Sequence, residues 1–358
     1  MPSIHVGVAL SDANRADLPT GLCIPENLTT YAESFREALG VETPFFELQP
    51  NDHFVQPARY PDQFRLNRDN RWLNAVEFNQ GVQSFIDSRA HRLGVHQPLL
   101  GDMLSSNFFG KYSALEEARR AMDFASGIGA EYFVMHLAYV DKWDWERSDQ
   151  IDKGLKFFKD IATYYRSYGY HFVPCIEVLE YPKFPATGGE LCYIINACQK
   201  VLHETRIALN VSHLWRARNL MLATGHWEDA KISFVQHLEY TLAQCWEQIH
   251  VFQLGGCWES ETHSVPGLHP QQNPYDHPMK LRESTGVYQE SGEIDLNRTL
   301  DLLLEYTIDK GRDLNLVLEI HDRDSGQVNE AARLIRDDLR ARVEERSQRG
   351  PYTLGNES

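Results

Sequence analysis

The stretch FVPCIEV at residues 172–178 decides the fold. It is a run of apolar, β-favouring residues that delivers one carboxylate, Glu177, and it follows a helical segment closed by Gly169. A short apolar run bounded by turn residues is the pattern of a strand buried on both faces, as in a parallel sheet. A carboxylate at the end of such a strand is costly to bury unpaired. A salt bridge to Lys or Arg would satisfy it, and so would a metal ion. Four further segments bring His, Glu or an amide to the same end of a strand, which favours the metal.

Outward from this strand the same alternation repeats. Upstream, 4–10 (IHVGVAL) reads as strand one, 27–39 as a helix capped by Asn27 and closed by Gly40, and 43–48 (TPFFEL) as strand two, carrying Glu47. Residues 51–76 are polar and aromatic and too long for an ordinary connection, so they read as a surface excursion or lid. Helical spacing returns at 77–92, and 94–100 (GVHQPLL) is strand three, with His96. Residues 113–126 form an amphipathic helix with Leu115, Ala118, Met122 and Ala125 on one stripe and a Ser113–Glu116 capping box. GAEYFVMHLAY then carries strand four to His136.

Downstream of the helix at 146–168 and of strand five come a helix at 188–203 and strand six, 206–210 (RIALN), which runs into VSHLW. A helix at 228–246 leads to strand seven, 249–254 (IHVFQL), and then to a long Gly-, Pro- and His-rich loop, 255–292. A helix at 295–310 precedes strand eight in LNLVLEIHD, ending at Glu319. The last helix, 327–346, lines up Val328, Ala331, Leu334, Ile335 and Leu339, and 348–358 is a polar tail. Eight strands, each followed by a helix, predict one closed (β/α)8 TIM barrel over residues 1–347. A doubly wound open sheet is the alternative, but no GxGxxG follows the first strand.

Bulk properties fit a large α/β domain. The 358 residues are 42% apolar, ample for a core, and the net charge is −16. An acidic chain of pI about 5.4 argues against a nucleic-acid groove. No apolar run is long enough to span a membrane, and MPSIHVGVAL lacks the features of a signal peptide. Six scattered Cys without a CxxC pair point to core filling in a reducing cytoplasm.

The strand ends collect Glu47, His96, His136, Glu177, Asn210 with His213, Gln253, Glu261 with His263, and Glu319. Barrel chemistry is built at the C-terminal ends of strands, and facing imidazoles and carboxylates suit divalent first-row metals. A single His at a strand end is more often a core residue; several at equivalent ends of one barrel are harder to assign to packing. In the loop after strand seven, His269 and His277 read equally well as surface residues, and Trp258 and Tyr275 fit a lid.

The segments GAEYFVMHLA, CIEV, LNVSH and LVLEIHD resemble the xylose-isomerase-like TIM-barrel superfamily over nearly the whole chain. That superfamily includes sugar isomerases and epimerases, endonuclease IV and multinuclear iron enzymes that mature peptide natural products. The phrases HLAY, NVSHLW, the Glu261–His263 step and LEIHDRD are closest to the iron enzymes. The resemblance implies three metal positions: His96, His136 and Glu177; then Glu177, Asn210, Gln253 and Glu319; then His213, Glu261 and His263. At the middle position this chain has Asn where the pattern has Asp and Gln where it has His, and neutral amides are weak donors. His250 would rescue that position only in a shifted register. The outer positions each keep two His and one carboxylate, a set suited to non-haem Fe(II), with Mn, Zn or Co as alternatives.

These readings predict an Fe(II)-dependent, O2-using oxidase of a small molecule or peptide side chain. The alternative is a divalent-metal sugar or sugar-phosphate isomerase or epimerase, in which Glu177 and Glu319 would be the catalytic acid and base. A barrel that has lost its metal and only binds a ligand is the third reading. Glu47 and Glu180 are candidates for supporting the metal ligands or for acid–base work. A homo-oligomer or a small partner protein is compatible with the sequence; nucleic acid and membrane are not expected as partners.

Overall fold

The computed structural model describes residues 2–11, 25–49, 92–97, 108–138, 146–223, 232–259, 281–285, 294–320 and 324–348. Eight parallel strands close into a barrel: β1 (Ile4–Ser11), β2 (Phe45–Gln49), β3 (Arg92–His96), β4 (Tyr132–Met135), β5 (Val173–Glu177), β6 (Arg206–Asn210), β7 (Ile249–Leu254) and β10 (Leu314–Leu318). Each strand pairs with its neighbour in chain order, and β10 closes the ring between β7 and β1. The helices are α1 (Pro25–Leu39), α2 (Phe108–Gly127), α3 (Arg147–Tyr168), α4 (Gly188–Val201), α5 (Val211–Ala223), α6 (Phe234–Cys245), α7 (Leu296–Glu305) and α8 (Ser325–Gln348). This is a closed TIM-barrel architecture, a ring of parallel strands with helices between them. No described helix is long and apolar enough to cross a membrane.

The two-residue period of each strand divides its side chains between two cores. Outward, Phe46, Leu48, Leu93, Val95, Phe133, Ile176, Leu209 and Leu316 join the large cluster under the helices. Inward, Ala9, Phe45, Tyr132, Val134, Cys175, Ala208, Val251 and Val317 fill the barrel itself. Two residues further along the strands, the inward series becomes polar: Glu47, His136, Glu177, Asn210, Gln253 and Glu319, all buried. The fold therefore sets the predicted strand-end groups in one layer at the C-terminal mouth.

Several local expectations change. Residues 211–223, read only as a continuation of strand six, form α5, which leaves β6 without a loop. The following helix starts at Phe234 rather than 228, because Ser233 and Gln236 form the reciprocal cap there. Ser113 lies inside α2, so the proposed Ser113–Glu116 box does not start that helix. Within the loop after strand seven, β8 (Gly256–Glu259) pairs antiparallel with β9 (Leu281–Thr285). Gly169, with φ 65°, closes α3 as expected. The insertion at 51–76, residues 77–91 of the expected helix, Cys23, residues 260–280 and the tail from 349 lie outside the described residues, and Arg92, expected in that helix, begins β3.

Candidate metal centre

Two imidazoles converge on one carboxylate oxygen. His96 Nε2 lies 2.8 Å and His136 Nε2 2.5 Å from Glu177 Oε2. The other nitrogen of His96, Nδ1, is 2.7 Å from the backbone oxygen of Gln97. A carbonyl only accepts, so Nδ1 carries the proton, and in the neutral ring Nε2 turns a lone pair toward the carboxylate. Two facing acceptors need a positive charge between them: a second proton, or a cation. Without a cation the proton is held tightly. Burial pushes the His96 imidazole down, but Glu177, with Glu47 and Glu319 behind it, holds it up at about 9. Burial prevails at His136, whose pKa is lowered. Burial also opposes ionisation of Glu177, yet the charges and hydrogen bonds of His136 and His96 keep its carboxyl well below the usual range.

This arrangement fits a divalent ion. An imidazole whose far N–H is fixed by a backbone carbonyl is the usual orientation of a metal-bound His. An ion would take over the charge that the His96 proton now supplies, and binding would release that proton. His136 Nδ1 is buried without a hydrogen-bond partner, so its orientation rests on Glu177 alone.

The second half of the mouth is built differently. Donor atoms of Glu177, His213 and Glu319 lie within 4.8 Å of one another. Between the two carboxylates stands the Asn210 amide, whose Nδ2 donates to Glu177 Oε1 at 2.9 Å and to Glu319 Oε2 at 2.7 Å. Gln253 turns away from this group and donates at 2.7 Å to Glu47 Oε1. Tyr132 donates to the other Glu47 oxygen at 3.0 Å. Burial pushes the Glu47 carboxyl up to about 7 despite the pull of His96 and the Gln253 hydrogen bond. His213 Nδ1 is 3.7 Å from Glu180 Oε2. Burial would raise the Glu180 pKa, but Lys183, His213 and Arg216 lower it far more.

Of the nine predicted ligands, His96, His136, Glu177, Asn210, His213, Gln253 and Glu319 are placed at the mouth, while Glu261 and His263 lie outside the described residues. His250 does not reach the centre. It follows a register irregularity between β6 and β7 and packs on the Tyr132 ring at 5.4 Å. The partners of Glu47, namely Tyr132 and Gln253, were not foreseen as a unit; the period of two, counted from Val134 and Val251, places both on the inward face.

No protein-family model and no curated protein sequence matches the chain. Solved structures do match along nearly its whole length. A D-tagatose 3-epimerase-like protein aligns with TM-score 0.58 at 15% identity, covering 96% of this chain and 99% of its own. The 3-keto-D-glucoside 4-epimerase of E. coli gives 0.56 at 13%, covering 95% and 100%. The D-psicose 3-epimerase of Clostridium cellulolyticum H10, solved with D-tagatose, gives 0.54 at 10%, covering 94% and 98%. At such identities the likeness establishes a shared fold, a (β/α)8 barrel of the kind on which sugar epimerases are built.

Proposed function

We propose that the chain is a divalent-metal-dependent isomerase or epimerase of a small polyhydroxy carbonyl compound, a sugar or close relative. The observation that carries the reading is the pair Glu177 and Glu319, two buried carboxyl groups with oxygens within 4.8 Å at the mouth of the barrel. Moving a proton off and onto a carbon beside a carbonyl needs a base and an acid in reach of one carbon, and two carboxyl groups on different strands provide them. A divalent ion held by His96, His136 and Glu177 would polarise the carbonyl oxygen. Asn210 keeps the two carboxyl groups apart and oriented, and Gln49 approaches the far oxygen of Glu319 at 3.5 Å. The epimerases that share the fold support this reading over an oxidase, for which the three structures compared offer no counterpart.

A second reading stays in view for one reason. Two imidazoles and one carboxylate also suit Fe(II) with open positions for O2. A panel of ketoses incubated in D2O with Mn(II), Co(II) or Fe(II), with and without O2, separates the two. The isomerase reading expects deuterium at the carbon beside the carbonyl, without O2 and abolished in Glu319→Gln. O2 consumption with no deuterium incorporation would replace it with the oxidase.

A further inference from the structure

We infer that Asn210 closes the space between Glu177 and Glu319 to a cation, so that among the described residues a divalent ion is held at His96, His136 and Glu177. The inference rests on the metal-dependent reading above and specifies where its ion is held and where none can be. It follows from which end of the amide faces the carboxylates.

Asn210 is the residue before α5, and its Oδ1 accepts the backbone N–H of His213, in the first turn, at 3.1 Å. That N–H has no carbonyl partner within the helix, so the side-chain oxygen is its cap. With Oδ1 so engaged, Nδ2 points at the carboxylates, and both its hydrogens are used, one on Glu177 and one on Glu319. Turning the amide over would aim an N–H at the His213 N–H and an oxygen at two carboxylate oxygens, three repulsive contacts in place of three hydrogen bonds. On the Asn210 side a cation between Glu177 and Glu319 would therefore meet N–H groups rather than a donor atom, and only the two carboxylates and His213 would be left to hold it.

Gln253, the other amide of this position, gives its N–H to Glu47, and its Oε1 is buried without a partner. The middle of the mouth is thus bridged by a neutral amide that does the charge-separating work of a cation. Asn210 is a positioning residue: it fixes the spacing of Glu177 and Glu319 and keeps an ion out of the space between them. An aspartate is the same size and would keep the His213 cap through one oxygen. Its other oxygen would then face two carboxylates, an arrangement that calls for a proton or a cation, and saturating Mn(II) supplies the cation.

The test is the number of ions bound. Metal-free protein is dialysed to equilibrium against saturating Mn(II) and analysed for bound manganese, with circular dichroism as the check on folding. Asn210→Asp should hold one ion more per chain than the wild type. Glu319→Gln, made in the wild type, should hold as many as the wild type, because Glu319 is not a ligand of the outer position. No added ion in a folded Asn210→Asp, or loss of an ion in a folded Glu319→Gln, would each overturn the inference while leaving a metal enzyme. No ion in the wild type would overturn it together with the metal-dependent reading. If Asn210→Asp does not fold, the wild-type and Glu319→Gln counts decide.

Discussion

Glu47 and Gln253, on the non-adjacent strands β2 and β7, are joined by a 2.7 Å hydrogen bond across the barrel interior. The bond supports a carboxyl group that burial has pushed up to about 7. Between its ordinary value and that one, the folded chain holds a proton that the unfolded chain has released. Stability therefore falls as pH rises from about 4.5 to 7 and levels off above, by an amount of order 3 kcal/mol. In metal-free protein, Glu47→Gln removes this dependence. Urea unfolding of both chains should show the variant gaining on the wild type across that window and the gap staying constant above it.

The Tyr132 ring holds the other Glu47 oxygen and occupies the space that Gly94 leaves open. A Cβ at position 94 would lie 2.1 Å from Tyr132 Cζ. Gly94→Ala should cost about 2–3 kcal/mol through overpacking against a closed barrel. Tyr132→Phe, which loses only the hydrogen bond, should cost about 1–2 kcal/mol. Chemical denaturation at one pH orders the two; equal costs would mean that the ring yields at position 94.

Ion binding should stabilise the fold. At a hundredfold excess over the dissociation constant, a bound ion adds about 2.7 kcal/mol. Thermal unfolding with and without Mn(II) should differ by a few degrees in the wild type, and His136→Ala should lose most of that difference.

Glu177→Gln and Glu319→Gln should each lower turnover by about 10²–10⁴, the usual worth of a positioned acid or base. They should differ in metal content: the first loses the ion and the second keeps it. Steady-state rates together with elemental analysis check both.

The barrel was legible because each of its strands is a short apolar run with a polar group beyond it, as in FVPCIE and RIALN. The same counting puts Glu47, His96, His136, Glu177, Asn210, Gln253 and Glu319 in one layer. Less legible was what those groups do to one another. Asn210 reads as a weakened ligand in the sequence, whereas in the fold it caps α5, a helix hidden because it follows β6 with no breaker between them. Gln253 reads as a ligand substitute, but Glu47, distant in sequence, takes its N–H. Strands β8 and β9 escaped notice because residues 260–280 separate them, far more than a hairpin turn holds. Hydrogen-bond direction is set by tertiary neighbours, and a strand pattern carries no trace of it.

Anomalous diffraction from crystals grown with Mn(II) tests the centre most directly. A manganese peak is expected about 2.0–2.3 Å from His96 Nε2, His136 Nε2 and a Glu177 oxygen, with the Asn210 amide still bridging Glu177 and Glu319. A peak between Glu177 and Glu319, or none at the mouth of the barrel, would contradict the account.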